Sequence, residues 1–240
     1  MKQKVLFAGI DGTGKTTCLY ALLDRMDPAW RVLKIGFSGT YLVHGGERRR
    51  LVSQALQERI EAIGEGSRRF RLYGVFLIFN FLWKYALSKY LQLSQRADVV
   101  MFETDTLLHP AVYLTHHFAF ARKIPPRWRF RVVSWLFGRR RGTLILYLEA
   151  DPAVSVERVE RREREKGIPV EPHENLRDLS ALKLEFERMV AAAVAAGYRV
   201  VRIDTTHRSS DEVTALAQQA LASALGGRLP QSTPSPDLLT

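Results

Sequence analysis

Residues 4–26 leave few folds open. Lys4-Val5-Leu6-Phe7-Ala8 is an apolar run of strand length, Gly9-Ile10-Asp11-Gly12-Thr13-Gly14-Lys15-Thr16 follows it, and Thr17 to Met26 reads as a helix that Pro28 ends. Strand, glycine-rich turn and helix, in that order, are the setting in which the spacing Gly-x-x-x-x-Gly-Lys-Thr becomes a phosphate-binding loop. The glycines let backbone N–H groups converge on a phosphate without Cβ clashes, and the helix N-terminus adds donors and the positive end of its dipole. Gly9, Asp11, Gly12, Thr13, Gly14, Lys15, Thr16 and Thr17 are therefore the expected nucleotide-binding residues. Lys15 would neutralise β- and γ-phosphate oxygens and Thr16 would offer its hydroxyl to a metal, so ATP and Mg²⁺ are the expected cofactors.

A chain of 240 residues suffices for one α/β domain with a proper core. Its single cysteine, Cys18, excludes an internal disulfide framework and a multi-cysteine metal site, and points to a reducing compartment. The opening MKQKVLFAG runs straight into the first strand and leaves no room for a signal peptide. Leu72 to Trp83 is the longest apolar run; Asn80 interrupts it and Lys84 stops it, so it reads as a buried helix and not a membrane span. The expected location is cytoplasmic. Residues 226–240, rich in Pro, Ser and Gly, read as a disordered tail.

Charge is concentrated in one third of the chain. Residues 66–148 carry 14 Lys or Arg against 3 acids, which is the whole net charge of +11, together with 17 of the 24 aromatic residues. Whatever the protein binds besides a nucleotide is expected to meet this segment. Within it, residues 122–141 contain no acid at all and interleave Trp128, Phe130, Trp135 and Phe137 with Arg127, Arg129, Arg131 and Arg139 to Arg141. Arginines for anionic headgroups and aromatics for the interface suit a peripheral contact with an anionic membrane, which would place the protein at the inner face of that membrane. A nucleic-acid surface is the less favoured reading, and a protein-facing or simply solvated patch is the third.

Along the chain, Trp30 to Phe37 reads as a second strand, Glu47 to Ile63 as a helix, and Arg69 to Gln92 as a long helix. Val99 to Phe102 is a buried strand ending at Glu103, helical stretches cover 111–120 and 128–137, and Leu144 to Leu148 is another buried strand. Val154 to Lys166 is a charged helix in which Glu157–Arg161 and Glu160–Arg164 have i,i+4 spacing. Leu176 to Ala196 is an amphipathic helix with Gly197 as its cap, Val200 to Ile203 a last strand, and Ser210 to Leu225 a last helix with Ser209 as N-cap before Glu212. Near-continuous apolar strands alternating with helices indicate a parallel sheet covered on both faces, with ligands at the carboxyl ends of its strands.

Several side chains bear on chemistry. Glu103 could hold Mg²⁺ through water or orient an acceptor hydroxyl, or it could be a strand-end acid pairing with a surface lysine; Asp105, two residues on, is open between the same readings. Asp11 could bind an acceptor hydroxyl or act as general base, or simply shape the turn. Arg158, Arg161, Arg162 and Arg164 could close over a transferring phosphoryl group or form a solvated, salt-bridged helix face. His109, His116 and His117 lack partners at metal-ligand spacing and read as solvent-facing or capping residues.

The string from Phe7 to Thr17 resembles the opening of a thymidylate kinase, a family that carries a carboxylate inside the phosphate loop, here Asp11. Leu148-Glu149-Ala150-Asp151-Pro152 through Val159 resembles that family's strand and the helix leading to its lid. Arg162 and Arg164 match its lid arginines, Phe186 falls at an aromatic position, and Val201-Arg202-Ile203-Asp204 with Ser210 to Val213 matches its C-terminal pattern. Glu103 is also similar to the Glu of the Glu-Arg-Ser motif in deoxynucleoside kinases. The resemblance implies a P-loop kinase domain over residues 1–225, a five-stranded parallel sheet ordered 2-3-1-4-5 between helices, and a helical lid at about 155–175. It implies catalytic roles for Asp11, Lys15, Glu103, Arg158, Arg162 and Arg164, metal contacts from Thr16 and Glu103, and a homodimer as a candidate assembly. The function it implies is transfer of the ATP γ-phosphoryl group to a nucleoside- or nucleotide-like acceptor.

The chain departs from the family on the acceptor side. Gly36-Phe37-Ser38-Gly39-Thr40 stands where Arg-Glu-Pro-Gly is expected, Glu103-Thr104 where Asp-Arg is expected, and Phe79 to Trp83 where the long helix carries a phosphate-gripping arginine. Bidentate arginine contacts are not casually replaced. Two further readings therefore stay open: a kinase of the same fold with a lipid or glycolipid-pathway acceptor at a membrane, and a non-catalytic ATP-binding scaffold.

Overall fold

The computed structural model describes residues 3–36, 39–69, 72–103, 107–136, 143–167 and 174–225. Among them seven strands form one mixed sheet, β1 (Gln3–Ala8), β2 (Val32–Ile35), β3 (Tyr41–His44), β4 (Glu47–Arg50), β5 (Val99–Phe102), β6 (Thr143–Glu149) and β7 (Arg199–Asp204), in the order β4-β3-β2-β5-β1-β6-β7. The five strands β2-β5-β1-β6-β7 are mutually parallel and follow the expected 2-3-1-4-5 order. The expected count of five is corrected to seven: β3 and β4 add an antiparallel hairpin beyond β2. Glu47–Arg50 is consequently strand, not the start of a helix. The hairpin turns on Gly45 and Gly46, both at positive φ (62° and 80°), with His44 paired to Glu47. That is the two-residue turn whose twist matches the strands it joins, and it needs residues that tolerate positive φ.

Alternation along each central strand divides the core. Val5, Phe7, Val99, Met101, Leu144, Leu146 and Leu148 point to one face, where α1 (Lys15–Asp24) and α9 (Ser210–Ala224) cover them. Leu6, Ala8, Val100, Phe102, Ile145 and Tyr147 point to the other, beneath α3 (Tyr73–Ser94), α4 (Leu108–His117), α6 (Pro126–Leu136) and α8 (Leu176–Ala195). α2 (Gln54–Arg69) packs on α3, the short α5 (Ala119–Arg122) on α4, and α7 (Pro152–Lys166) on α8.

The helix ends are chemically specified. Asp151 caps α7 by accepting from Ala153 N at 2.8 Å, with Pro152 in the first turn and Gly167 (φ 68°) after the last. Ser209 and Glu212 form a reciprocal capping box on α9. Gly197 (φ 80°) closes α8 by donating to Val194 O at 2.9 Å. None of the described helices is long and apolar enough to cross a membrane.

Candidate phosphate-binding site

All the chemistry-bearing groups that the structure gathers stand at the carboxyl ends of the parallel strands. β1 ends at Ala8 and the chain turns through Gly9 (φ 140°) and Gly12 (φ 81°) into α1. Both glycines also serve close approach. A Cβ at Gly9 would lie 2.2 Å from the Leu148 carbonyl oxygen, and one at Gly12 would lie 2.4 Å from that of Ser155. The loop is thus seated against the end of β6 and the first turn of α7. Thr13 is buried and its hydroxyl donates to Ile10 O at 2.9 Å, tying the loop across its own base.

Lys15 extends back over the loop. Its Nζ donates to Ile10 O at 2.6 Å and Gly9 O at 2.9 Å, and lies 3.7 Å from Asp11 Oδ1. Burial lowers the Lys15 pKa, while the charges of Asp11 and Glu103 oppose that shift. An ammonium that is partly desolvated and within reach of two carboxylates is a cation waiting for a stronger anion. Thr16 and Thr17 are exposed at the start of α1.

Glu103 follows the last residue of β5. It is 5% exposed; Thr16 Oγ1 donates to its Oε1 at 2.8 Å, and Lys34 Nζ donates to its Oε2 at 2.7 Å. Lys34 is fully buried. The Gly39 carbonyl at 2.9 Å and the rings of Tyr20 and Tyr41, 5.2 and 5.7 Å from Nζ, also lie against it. Gly36 makes room for this arrangement, since a Cβ there would fall 2.1 Å from Glu103 Oε2. Glu103 therefore pairs with a lysine, as one sequence reading allowed, but the lysine is interior. The signal in the sequence was a single charge inside the apolar strand Val32-Leu33-Lys34-Ile35. A charged residue is almost never fully buried unless paired, and its pair lay 69 residues away.

Arg158 spans two elements. Its guanidinium donates to Gly12 O at 3.4 Å, to Thr205 O at 2.7 Å and to Thr206 O at 3.2 Å, so it braces the phosphate loop against the turn after β7. Arg162 lies one turn on and its charge is felt at Lys15. It bridges Glu163 at 2.5 Å and Glu174 at 3.1 Å, both of them buried acids. Burial works against its charge, but the two carboxylates outweigh it and raise its pKa. Among the described residues neither Glu157–Arg161 nor Glu160–Arg164 closes as an ion pair; the bridges of α7 run from Arg162 instead. Arg164 is exposed, about 200° round the helix from Arg162. The structure thus brings together Asp11, Lys15, Thr16, Glu103, Arg158 and Arg162 and leaves Arg164 apart. Asp105, the lid residues 168–173, Arg139 to Arg141 and the tail 226–240 lie outside the described residues.

Other expectations change. His109 is buried, edge-on to Phe186 at 4.9 Å and stacked on Tyr113 at 6.0 Å, in place of the solvent-facing role expected of it. A ring half-way between apolar and polar fits such an aromatic layer as readily as a surface. Cys18 is a small core residue whose thiol burial pushes up to about 12. Arg129 and Phe130 of the basic–aromatic segment face inward, with Arg129 paired to Glu185 at 2.8 Å. Among the described residues no three His, Cys, Asp or Glu side chains are grouped to hold a metal. A site here would rest on Thr16 Oγ1 and Glu103 Oε1, which suits Mg²⁺, an ion that takes one or two protein oxygens and keeps several waters.

The strand–loop–helix unit on a parallel 2-3-1-4-5 core defines the P-loop α/β fold. No family model matches the chain, and no curated protein matches it. Among solved structures, deoxyadenosine kinase from M. mycoides shares the fold in three bound forms, at 12% identity in each. With the products dCMP and a flexible dCDP the TM-score is 0.55, over 92% of this chain and 100% of that one. With dATP it is 0.53, over 91% and 99%. With dCTP it is 0.54, over 92% and 100%. The likeness spans nearly the whole of both chains and is one of fold.

Proposed function

We propose that this chain is an ATP-dependent phosphotransferase that moves the γ-phosphoryl group of Mg-ATP to a hydroxyl of a nucleoside-like acceptor. The observation that carries the reading is the Thr16–Glu103 contact of 2.8 Å at the head of a loop that also presents Lys15. Loop N–H groups would hold the β-phosphate and Lys15 would exchange its carbonyl partners for phosphate oxygens. Thr16 Oγ1 and Glu103 Oε1 would hold Mg²⁺, which would supply charge neutralisation to the phosphates. With Oε2 engaged by Lys34, Glu103 is suited to the metal more than to proton transfer. Asp11 is the candidate base: its side chain is 32% exposed and sits at the loop that holds the nucleophile's target. Arg162 is the lid cation over residues 155–175, with Arg164 turned away from it, Arg158 is the brace behind the loop, and residues 1–225 are the catalytic domain.

A nucleoside suits the acceptor side better than a thymidylate-type monophosphate. Phe79 to Trp83 carries no arginine; it carries Asn80, a buried residue whose Oδ1 has no hydrogen-bond partner among the described residues. Such an oxygen costs about 1–3 kcal/mol, which an acceptor N–H would remove. The fold neighbour named a deoxyadenosine kinase, with dCMP and dCDP as its bound products, points the same way. For assembly, the exposed apolar side of α3, with Val75, Phe79, Leu82 and Tyr90, is the candidate surface for a second copy, and sedimentation of the pure protein tests it.

Labelled γ-phosphate transfer across nucleosides, nucleoside monophosphates, sugars and polyprenols tests the function. Transfer to a nucleoside supports it, and transfer only to a polyprenol moves the acceptor to lipid. ATP binding without transfer to any acceptor reduces the chain to a nucleotide-binding scaffold.

A further inference from the structure

Helix α6 has two apolar faces. Phe130 and Val133, with Arg129, point inward against α8 and α4. A helix seated this way ordinarily turns charged and polar residues outward. α6 instead exposes Trp128, Val132 and Trp135, at i, i+4 and i+7, with 48%, 52% and 77% of their surfaces free. Arg127 and Arg131 are exposed beside this stripe, and the Arg131 guanidinium lies 5.3 Å from the Trp128 ring centre. Just before the helix Arg122, Lys123 and Phe120 are exposed as well. From residue 106 to residue 148 the sequence holds eight Lys or Arg and no acid. Among the described residues, the carboxylate that pairs with α6, Glu185, is engaged by Arg129 and Arg188 on the inward side.

We infer that the outward face of α6 is a docking surface for an anionic lipid membrane, a property that goes beyond the phosphotransfer reading and does not depend on it. Charge complementarity selects the occupant. Helix α3 itself, Tyr73–Ser94, carries no arginine, and its exposed stripe suits another protein surface. On α6 the two indoles are of the kind that settle at the headgroup level, and the guanidiniums beside them meet anionic headgroups. A polyanion such as RNA would use the arginines and have far less need of Val132 and an outward Trp135 together. Each Lys or Arg at an anionic surface strengthens binding about five-fold, and the attraction fades within a Debye length, so binding is reversible and salt-sensitive.

Flotation with vesicles tests this on the intact protein without nucleotide, so its outcome is independent of whether the kinase reading stands. Wild-type protein should float with phosphatidylcholine vesicles containing phosphatidylserine at low salt, float less at high salt, and remain below with phosphatidylcholine alone. Arg127→Glu with Arg131→Glu should weaken binding by at least about thirty-fold and flatten its salt dependence. Trp128→Ser with Trp135→Ser should weaken binding, keep the salt dependence and abolish quenching of tryptophan fluorescence by brominated lipid. All four side chains are substantially exposed, and matching thermal melts separate lost binding from lost folding. No flotation of the wild type at low salt overturns the inference. So does binding that is unchanged in the tryptophan variant, which would make the face a general polyanion site.

Discussion

The phosphate-loop region, Glu103 included, and the helical part of residues 66–148, α3 and α6, were made under different constraints. In the first, the side chains around the loop have definite contacts, Thr13 on its own loop, Lys15 on two carbonyls, Glu103 between Thr16 and Lys34, Arg158 on the loop and the turn after β7, although Ser155 Oγ beside Gly12 is buried without a hydrogen-bond partner among the described residues. In the second, α3 leaves Asn80 Oδ1 buried without a partner among the described residues, and α3 and α6 expose large apolar side chains. A group that must hold triphosphate and metal is preorganised by the fold, because reorganisation during reaction would weaken the electrostatics it supplies. A surface whose polar and apolar groups are still unsatisfied is complete only with its partner. On the proposed function, the donor side is largely held within the chain and the acceptor side is completed by what binds.

The sharpest break of this contrast is the acceptor itself. Three missing arginine contacts at about 1.5 kcal/mol or more each predict kcat/KM for thymidylate at least a thousand-fold below that for the best nucleoside. Comparable values in a coupled assay would mean that cations elsewhere have replaced them and that the two regions are equally built. Next is the interior pair. Lys34→Met leaves Glu103 buried and uncompensated and should cost about 3–5 kcal/mol in chemical denaturation, part of which Glu103→Gln in the same chain restores. Equal stability of single and double variants would show that the pair is not coupled.

Lys15→Ala should lower transfer by about a hundred- to thousand-fold on every acceptor, with the melting profile retained, because the side chain serves phosphate charge and not packing. Near-normal turnover would sink the phosphotransfer reading. In the other region, Asn80→Leu should raise the KM for the acceptor while leaving that for ATP alone, and should stabilise the free protein by about 1–3 kcal/mol by removing the orphaned oxygen. If both KM values stay put, Asn80 does not touch the acceptor.

The smallest effect is a titration on the α6–α8 seam. Burial works against Glu185, but Arg129 and Arg188 hold its pKa below the usual 4.5. A carboxylate with a depressed folded pKa contributes stability above 4.5 that is lost as pH falls through the folded value. Glu185→Gln should therefore be less stable than the wild type at neutral pH, with the difference closing as pH falls below 4.5, so that its acid unfolding is less steep there.

Local pattern determined much of this protein. Consecutive residues carry the phosphate loop, the alternation in β1, β5 and β6, and the caps at Ser209 and Gly197, since each depends on spacings of a few positions. The β3–β4 hairpin was also written locally, in Gly45-Gly46, but the apolar spacing from Leu51 onward made its second strand look like a helix entry. Tertiary structure alone decided the rest. It buried Lys34 against Glu103, put His109 in an aromatic layer, turned Arg158 onto the loop, and sorted Trp128 and Trp135 outward from Phe130 inward. The physical reason is the same in each case. The environment of a charge or a ring is set by groups brought near through the sheet, tens of residues away along the chain, and burial reverses what the side chain prefers when it stands alone.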